Sequence, residues 1–302
     1  MSWQAKIITP ADIVGDVMDI YRDGLAGGLS TGWPSLDSHY AVVPGLWTVV
    51  TGYPGSGKSE WVDALCLNLA EMHGWRFVFY SPENQPQQLH LAKLMEKRTG
   101  KPFFDGPTER LNRDDMLEAM EWLQDRFAFI KQEEGPRTIE EILDTCFAWI
   151  NHSGRTNPAG IVIDPWNEID HHQPGNLTES QYISKTLTTI RQFARNTNCH
   201  IWIVAHPKLV AKEDGKRPVP SLSDISGGAM WWNKADFGIV VHRDQSDNST
   251  DVQVHIQKCR FRHMGKQGMV VLKWNHVCGQ YSEPLGPRIQ SLSSYRSASG
   301  AT

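Results

Sequence analysis

Residues 52–59 read Gly-Tyr-Pro-Gly-Ser-Gly-Lys-Ser, and no other stretch of the chain restricts its fold as much. The spacing is that of a phosphate-binding loop. Gly52, Gly55 and Gly57 let the backbone wrap a polyphosphate, with N–H groups such as that of Ser56 pointing inward. Lys58 then sits where an ammonium reaches the outer phosphates, and Ser59 where a hydroxyl can ligate Mg²⁺. Such a loop needs a strand before it and a helix after it, and the flanks offer both. Leu46 to Val50 is an apolar run that reads as a buried strand, and Trp61, Ala64, Leu65, Leu67 and Leu69 recur at helical spacing. The alternative is a glycine-rich strand-to-helix turn that binds nothing.

From Trp47 onward the same alternation continues. Strands are expected at 75–80, 127–131, 160–164 and 200–206, and helices at 85–99, 113–126, 138–151 and 177–198. Near-continuous apolar strands separated by helices mean a parallel sheet covered on both faces. Past residue 236 the pattern changes to strands at 237–243, 252–260, 269–275 and 280–282 without helices between them, which reads as an antiparallel extension of the sheet. Ahead of the sheet, residues 11–23 place Ile13, Val14, Val17, Met18, Ile20 and Tyr21 on one helical face. This helix and the glycine-rich Gly24–Gly32 stretch can pack on their own domain or dock on a neighbouring subunit. Residues 1–28 are expected to be a linker helix and hinge, 29–285 one ATPase domain, and 286–302 a disordered tail.

The chain has 302 residues, 40% of them hydrophobic, enough for one large α/β domain or two small ones. Its net charge of −4 lends nucleic-acid binding no support by itself, so any basic surface must be local. A ring with a basic inner face and an acidic exterior fits that balance, and so does an ordinary enzyme. Five scattered cysteines without C-x-x-C spacing point to a reducing compartment, such as the cytoplasm of a bacterial or phage-infected cell. The pair His171-His172 lacks metal-ligand spacing and reads as polar loop residues. No apolar run approaches the roughly 20 residues that cross a bilayer. Asp12, Asp16, Asp19 and Asp23 argue against a transit peptide.

Nucleotide hydrolysis needs a second carboxylate for Mg²⁺, a group that orients water, and cationic charge for the transition state. Ile161-Val162-Ile163-Asp164 is an apolar strand ending in aspartate, so the carboxylate emerges where ligands of open α/β sheets bind. Glu83, just past the 75–80 strand, can polarise water as a general base, or can be a first-turn helix glutamate favoured by the dipole. His206 ends a third strand; it can contact the γ-phosphate or simply bond backbone. Lys258 and Arg260, two apart at a strand end, point the same way. Paired cations of this kind suit phosphate contacts made to another subunit, though the feature alone favours a solvated basic hairpin.

The order of these parts resembles the ring-shaped replicative helicases of the DnaB type, in particular the helicase halves of phage primase–helicases and of Twinkle. The resemblance covers residues 28–282. It rests on GYPGSGKS, YSPEN, IVIDPWNEI, IVAHPK, LSDISGGAMWWNKAD, QKCRFRHMGKQG and VLKWN, in that order. It implies a RecA-like P-loop NTPase core assembled as a hexamer around single-stranded DNA, with ATP, or another NTP or dNTP, and Mg²⁺ between subunits. It implies that Lys58 and Ser59 hold phosphate and Mg²⁺, that Asp164 supports the metal, that Glu83 activates water and that His206 senses the phosphate. Arg260 becomes the arginine finger given to the neighbour, with Lys258 its companion. Arg243 and Trp274 fall where the family stacks on the base. Lys208, Lys212, Lys216 and Arg217 form a basic loop matching the second DNA-binding loop.

The resemblance also implies 5′-to-3′ movement. The chain departs from the family in two respects. Nothing resembling a primase or zinc module precedes the core, so this is either one domain of a larger polypeptide or a helicase served by a separate primase. The loop 170–178, where the first DNA loop belongs, is nearly uncharged. Two rivals stay open: a RecA-like recombinase that forms filaments, and a nucleotide-dependent loader or switch that does not translocate.

Overall fold

The short runs of β-branched and aromatic residues become five- to six-residue strands with every residue out of water, or nearly so: β1 (Trp47–Thr51), β2 (Arg76–Tyr80), β4 (Ala159–Ile163), β5 (His200–Ala205) and β6 (Phe237–His242). The computed structural model describes residues 7–24, 27–131, 135–152, 159–173, 175–210, 217–244 and 249–284. Lys212, Lys216 and the 286–302 tail lie outside them. A shorter strand, β3 (Phe127–Phe129), and the antiparallel β7 (Asp251–Cys259), β8 (Gly268–Trp274) and β9 (Tyr281–Ser282) complete a nine-stranded sheet. Its order is β3-β2-β4-β5-β1-β6-β7-β8-β9, parallel as far as β6. The expected doubly covered parallel sheet with an antiparallel extension is therefore present.

The helices are α1 (Pro10–Asp23), α2 (Pro34–Asp37), α3 (Lys58–His73), α4 (Gln87–Thr99), α5 (Arg113–Gln124), α6 (Ile139–His152), α7 (Glu179–Thr197) and α8 (Gly228–Lys234). Strand alternation sends neighbouring side chains into two cores. Val50, Phe77, Phe79, Val162, Trp202 and Val204 pack with α3, α4 and α5. Trp47, Val49, Ile161, Ile163, Ile201 and Ile203 pack with α6, α7 and α8. Two short helices, α2 and α8, were not expected. Of these, α8 starts from a left-handed Gly227 and buries Trp231 against Trp47 and Trp166. By contrast α1 buries nothing: Val14, Val17, Met18 and Tyr21 are all more than half exposed.

At the N-terminal end of the parallel strands a polar cluster is sealed inside the first core. His200 Nε2 lies 2.8 Å from Thr48 Oγ1, His200 Nδ1 2.7 Å from the Val43 carbonyl, and the Tyr40 hydroxyl 2.9 Å from Thr48 Oγ1. Trp202 Nε1 donates to the same hydroxyl. Burial drives the His200 imidazole down to about 4. The unfolded chain therefore binds the extra proton first as pH falls. Stability from this group is complete above pH 6.5 and is lost through the window from 6.5 down to 4, costing about 2 kcal/mol between pH 7 and pH 5. Urea titrations at the two pH values check this: a His200→Gln chain, though weaker throughout, should show that much less of a drop.

Candidate nucleotide site

Four parallel strands that lie side by side, β2, β4, β5 and β1, deliver one chemical group each at their C-terminal ends. The P-loop follows β1 and opens on Gly52, whose φ of +151° disfavours any side chain; a Cβ there would stand 2.2 Å from the Val241 carbonyl. Gly57 begins α3 in a left-handed conformation, and a Cβ on it would press the Tyr281 hydroxyl. Lys58 is 6% exposed and its Nζ donates to the Tyr53 carbonyl at 3.1 Å. Burial lowers its pKa, while Asp164 and then Glu83 oppose the shift.

Asp164 follows β4, its N–H donating to the Tyr80 carbonyl of β2. Its carboxyl is buried, and burial pushes it up to about 6, with the Ser59 hydroxyl pulling the other way. Asn84 Nδ2 approaches it at 3.5 Å. Glu83 lies ahead of α4 rather than in its first turn, which removes the helix-dipole alternative. Its Oε1 is 3.3 Å from His206 Nε2, close but without hydrogen-bond alignment. His206 follows β5. Burial and then Lys58 hold its pKa down, against the pull of Glu83, and its backbone N–H is fixed by Asn167 Oδ1 at 2.9 Å.

These residues fit a magnesium nucleotide. Ser56 Oγ is buried without a partner, and Asp164 is a buried carboxylate beside a hydroxyl. Among the described residues Lys58 is a buried ammonium whose hydrogen bond goes to a carbonyl that phosphate can replace. Beside the loop, Arg243 Nη2 donates to the Gly55 carbonyl at 3.1 Å, and its guanidinium sits 4.8 Å from the Trp274 ring centre. Arg243 and Trp274, the two residues expected to stack on a base, are thus brought together on the P-loop rim, and Trp274 also leans on the core.

Lys258 and Arg260 are brought together elsewhere. Phe237 of β6 pairs with Cys259 of β7, so both cations stand at the N-terminal end of β6. Arg260 Nε is 2.9 Å from Asp236 Oδ1, and its Nη2 donates to the carbonyls of Asn233, Lys234 and Ala235. Lys258 donates to the Trp232 carbonyl, and burial with Arg260 nearby brings it down to about 8. Both cations are thus pinned to acceptors of their own chain, with Lys258 half-buried and Arg260 exposed.

Of the basic loop, Lys208 is exposed, and Arg217 lies over the Tyr53 ring. Sequence reasoning missed Asn84, Asn167, Tyr53 and Glu60. Glu60 holds Lys93 at 2.9 Å and the buried Lys97, tying α3 to α4. Burial alone would raise its carboxyl, but the two ammoniums outweigh that and bring it down to about 2. A carboxylate directly after Gly-Lys-Ser was the available signal.

The model of the DnaB-like helicase C terminal domain matches residues 28–283. The Twinkle homolog protein, chloroplastic/mitochondrial, of Arabidopsis thaliana is 41% identical over 284 residues, 90% of this chain. The chain spans 39% of that relative's length. Among solved structures, a DnaB-like replicative helicase studied with primase superposes with a TM-score of 0.75 at 16% identity, covering 93% of this chain and 69% of that one. A solved ATPase domain gives 0.76 at 15%, covering 91% and 99%. The RadB recombinase gives 0.52 at 16%, covering 85% and 99%. These likenesses establish a RecA-like fold, and the family match goes further: the chain belongs to the DnaB-like helicase C-terminal domain family.

Proposed function

We propose that this chain is the ATP-hydrolysing motor of a DNA helicase, acting as a hexameric ring that moves 5′ to 3′ on single-stranded DNA. One observation carries the ring. The P-loop lies past one end of β1, while Arg260 and Lys258 stand at the opposite end of the adjacent β6, a strand about 20 Å long. A finger so placed cannot serve its own nucleotide, but it can serve a neighbour's. Magnesium held by Ser59 and Asp164 would neutralise charge on the phosphates of ATP, or of another NTP or dNTP. Lys58 exchanges its carbonyl partner for phosphate and supplies further positive charge. Glu83 takes the proton of the attacking water, and His206, in contact with Glu83, senses the γ-phosphate. Arg260 of the adjacent protomer completes the charge.

Arg243 and Trp274 clamp the base. Lys208 and Arg217, with Lys212 and Lys216, track the DNA backbone. The bare apolar face of α1 docks on a neighbouring protomer, and residues 29–285 act as the motor. A primase is a further proposed partner, since the replicative helicase of similar fold is described together with its interactions with one. No helix of the described residues is long and apolar enough to cross a membrane. The proposed setting is a reducing one, a bacterial or phage-infected cytoplasm or an organelle of the kind for which the Twinkle homologue is named.

Steady-state phosphate release with and without oligo(dT), alongside particle mass in the presence of magnesium and a non-hydrolysable ATP analogue, tests this. Rings whose turnover rises with DNA and loses that rise in salt are expected. Filaments, or turnover indifferent to DNA, would contradict it.

A further inference from the structure

Tyr53, in the P-loop, touches both the phosphate-binding Lys58 and Arg217, a residue past His206. Its carbonyl accepts from the Ser56 N–H and from Lys58 Nζ, each at 3.1 Å. The residue is 6% exposed, and its ring carries the Arg217 guanidinium carbon 5.6 Å from its centre. Arg217 belongs to a segment whose neck is pinned. Pro207 bridges Ile225, and the Lys208 N–H donates to the Asp224 carbonyl at 2.8 Å. The Asp224 carboxylate also lies near the Tyr53 phenol, which burial and that charge together hold above its ordinary pKa.

Two of the groups that Tyr53 holds, Lys58 and Arg217, are ones that phosphate competes for. A nucleotide's phosphate draws Lys58 from the Tyr53 carbonyl, and a DNA phosphate draws Arg217 from the ring, because a guanidinium binds phosphate more strongly than it binds an aromatic face. We infer that Tyr53 is a positioning residue that couples the two sites: with the P-loop bare its ring holds Arg217 back from DNA, and nucleotide loosens that hold. This rests on the reading above that the P-loop takes nucleotide and Arg217 takes DNA. Nucleotide then tightens DNA binding, and DNA tightens nucleotide binding by the same factor.

The test measures oligo(dT) affinity of the full chain by fluorescence anisotropy at fixed salt, with and without saturating magnesium and a non-hydrolysable ATP analogue. The ratio of the two affinities is the readout. Tyr53→Leu should bind DNA more tightly than the parent without nucleotide and lower the ratio about two- to five-fold, the span expected of an exposed cation–π contact. Tyr53→Phe keeps the ring and should keep the ratio. Arg217→Gln should lower the ratio by the same factor as Tyr53→Leu, and the double variant no further. Arg217 is exposed, so its variant folds whatever Tyr53→Leu does, and its ratio alone then decides. An unchanged ratio in Tyr53→Leu or Arg217→Gln, or a ratio lost equally in Tyr53→Phe, overturns the coupling. A parent chain that binds neither oligonucleotide nor nucleotide overturns the helicase reading, and this inference with it.

Discussion

Lys58→Ala is expected to abolish ATP turnover, lowering it by on the order of 10²–10³ or more, and to weaken nucleotide binding as well. The size of the effect follows from where the ammonium stands. It is almost wholly buried, close enough to Asp164 and Glu83 for both carboxylates to oppose the burial that lowers its pKa, and its hydrogen bond goes to a backbone carbonyl. Removing it takes positive charge from the centre of the site and leaves the buried Asp164 with less compensation. Lys58→Arg should be nearly as damaging. A planar guanidinium is larger than the ammonium and presents its donors in a fixed fork instead of as a compact point charge. Phosphate release and binding of a fluorescent nucleotide measure the two losses separately. A Lys58→Ala chain that kept a tenth of parental turnover would remove the P-loop from the chemistry.

Arg260 should behave differently. Its loss is expected to cost on the order of 10³–10⁵ in turnover while leaving nucleotide binding nearly intact, because the residue contributes nothing to its own protomer's P-loop. Alanine is not the cleanest choice. Asp236 is fully buried, accepts the Trp47 N–H and depends first on Arg260 to counter its desolvation, so Arg260→Ala also exposes the fold to an unpaired buried carboxylate. That penalty is softened because the Arg260 side chain is 30% exposed. Arg260→Lys keeps a cation beside Asp236 but loses the planar fork that spans Asp236 and the last carbonyls of α8. It should fold, assemble and bind nucleotide, yet hydrolyse poorly. Thermal melting, particle mass and phosphate release together separate the two roles.

The reading of residues from the sequence went furthest where a motif and a strand end coincide. Gly52 to Ser59 needed a strand and a helix, and β1 and α3 flank it; Glu83, Asp164 and His206 each follow an apolar run, and the parallel order of β2, β4, β5 and β1 aligns their tips. What the sequence left hidden depends on contacts between distant segments. Arg260 pairs with Asp236 across the open end of the β6–β7 hairpin, Glu60 with Lys97 between two helices, and Arg217 with Tyr53 across more than 150 residues of chain. Helix α8 escaped for a local reason: seven residues with two adjacent tryptophans show no clear period, and its burial comes from Trp47 and Trp166. The position of Arg260 relative to the P-loop depends on β6 lying parallel beside β1, a long-range pairing that no local pattern announces.

The cooperation of two protomers at one nucleotide is tested most directly by mixing two dead proteins. Lys58→Ala and Arg260→Lys chains, each inactive alone and each confirmed to assemble, are combined in equal amounts and allowed to exchange. If Arg260 acts across the interface, about a quarter of the interfaces in randomly mixed rings pair an intact P-loop with an intact finger, and turnover should return in that proportion. Mixed rings of proven composition that release no phosphate would show that Arg260 serves its own chain or none.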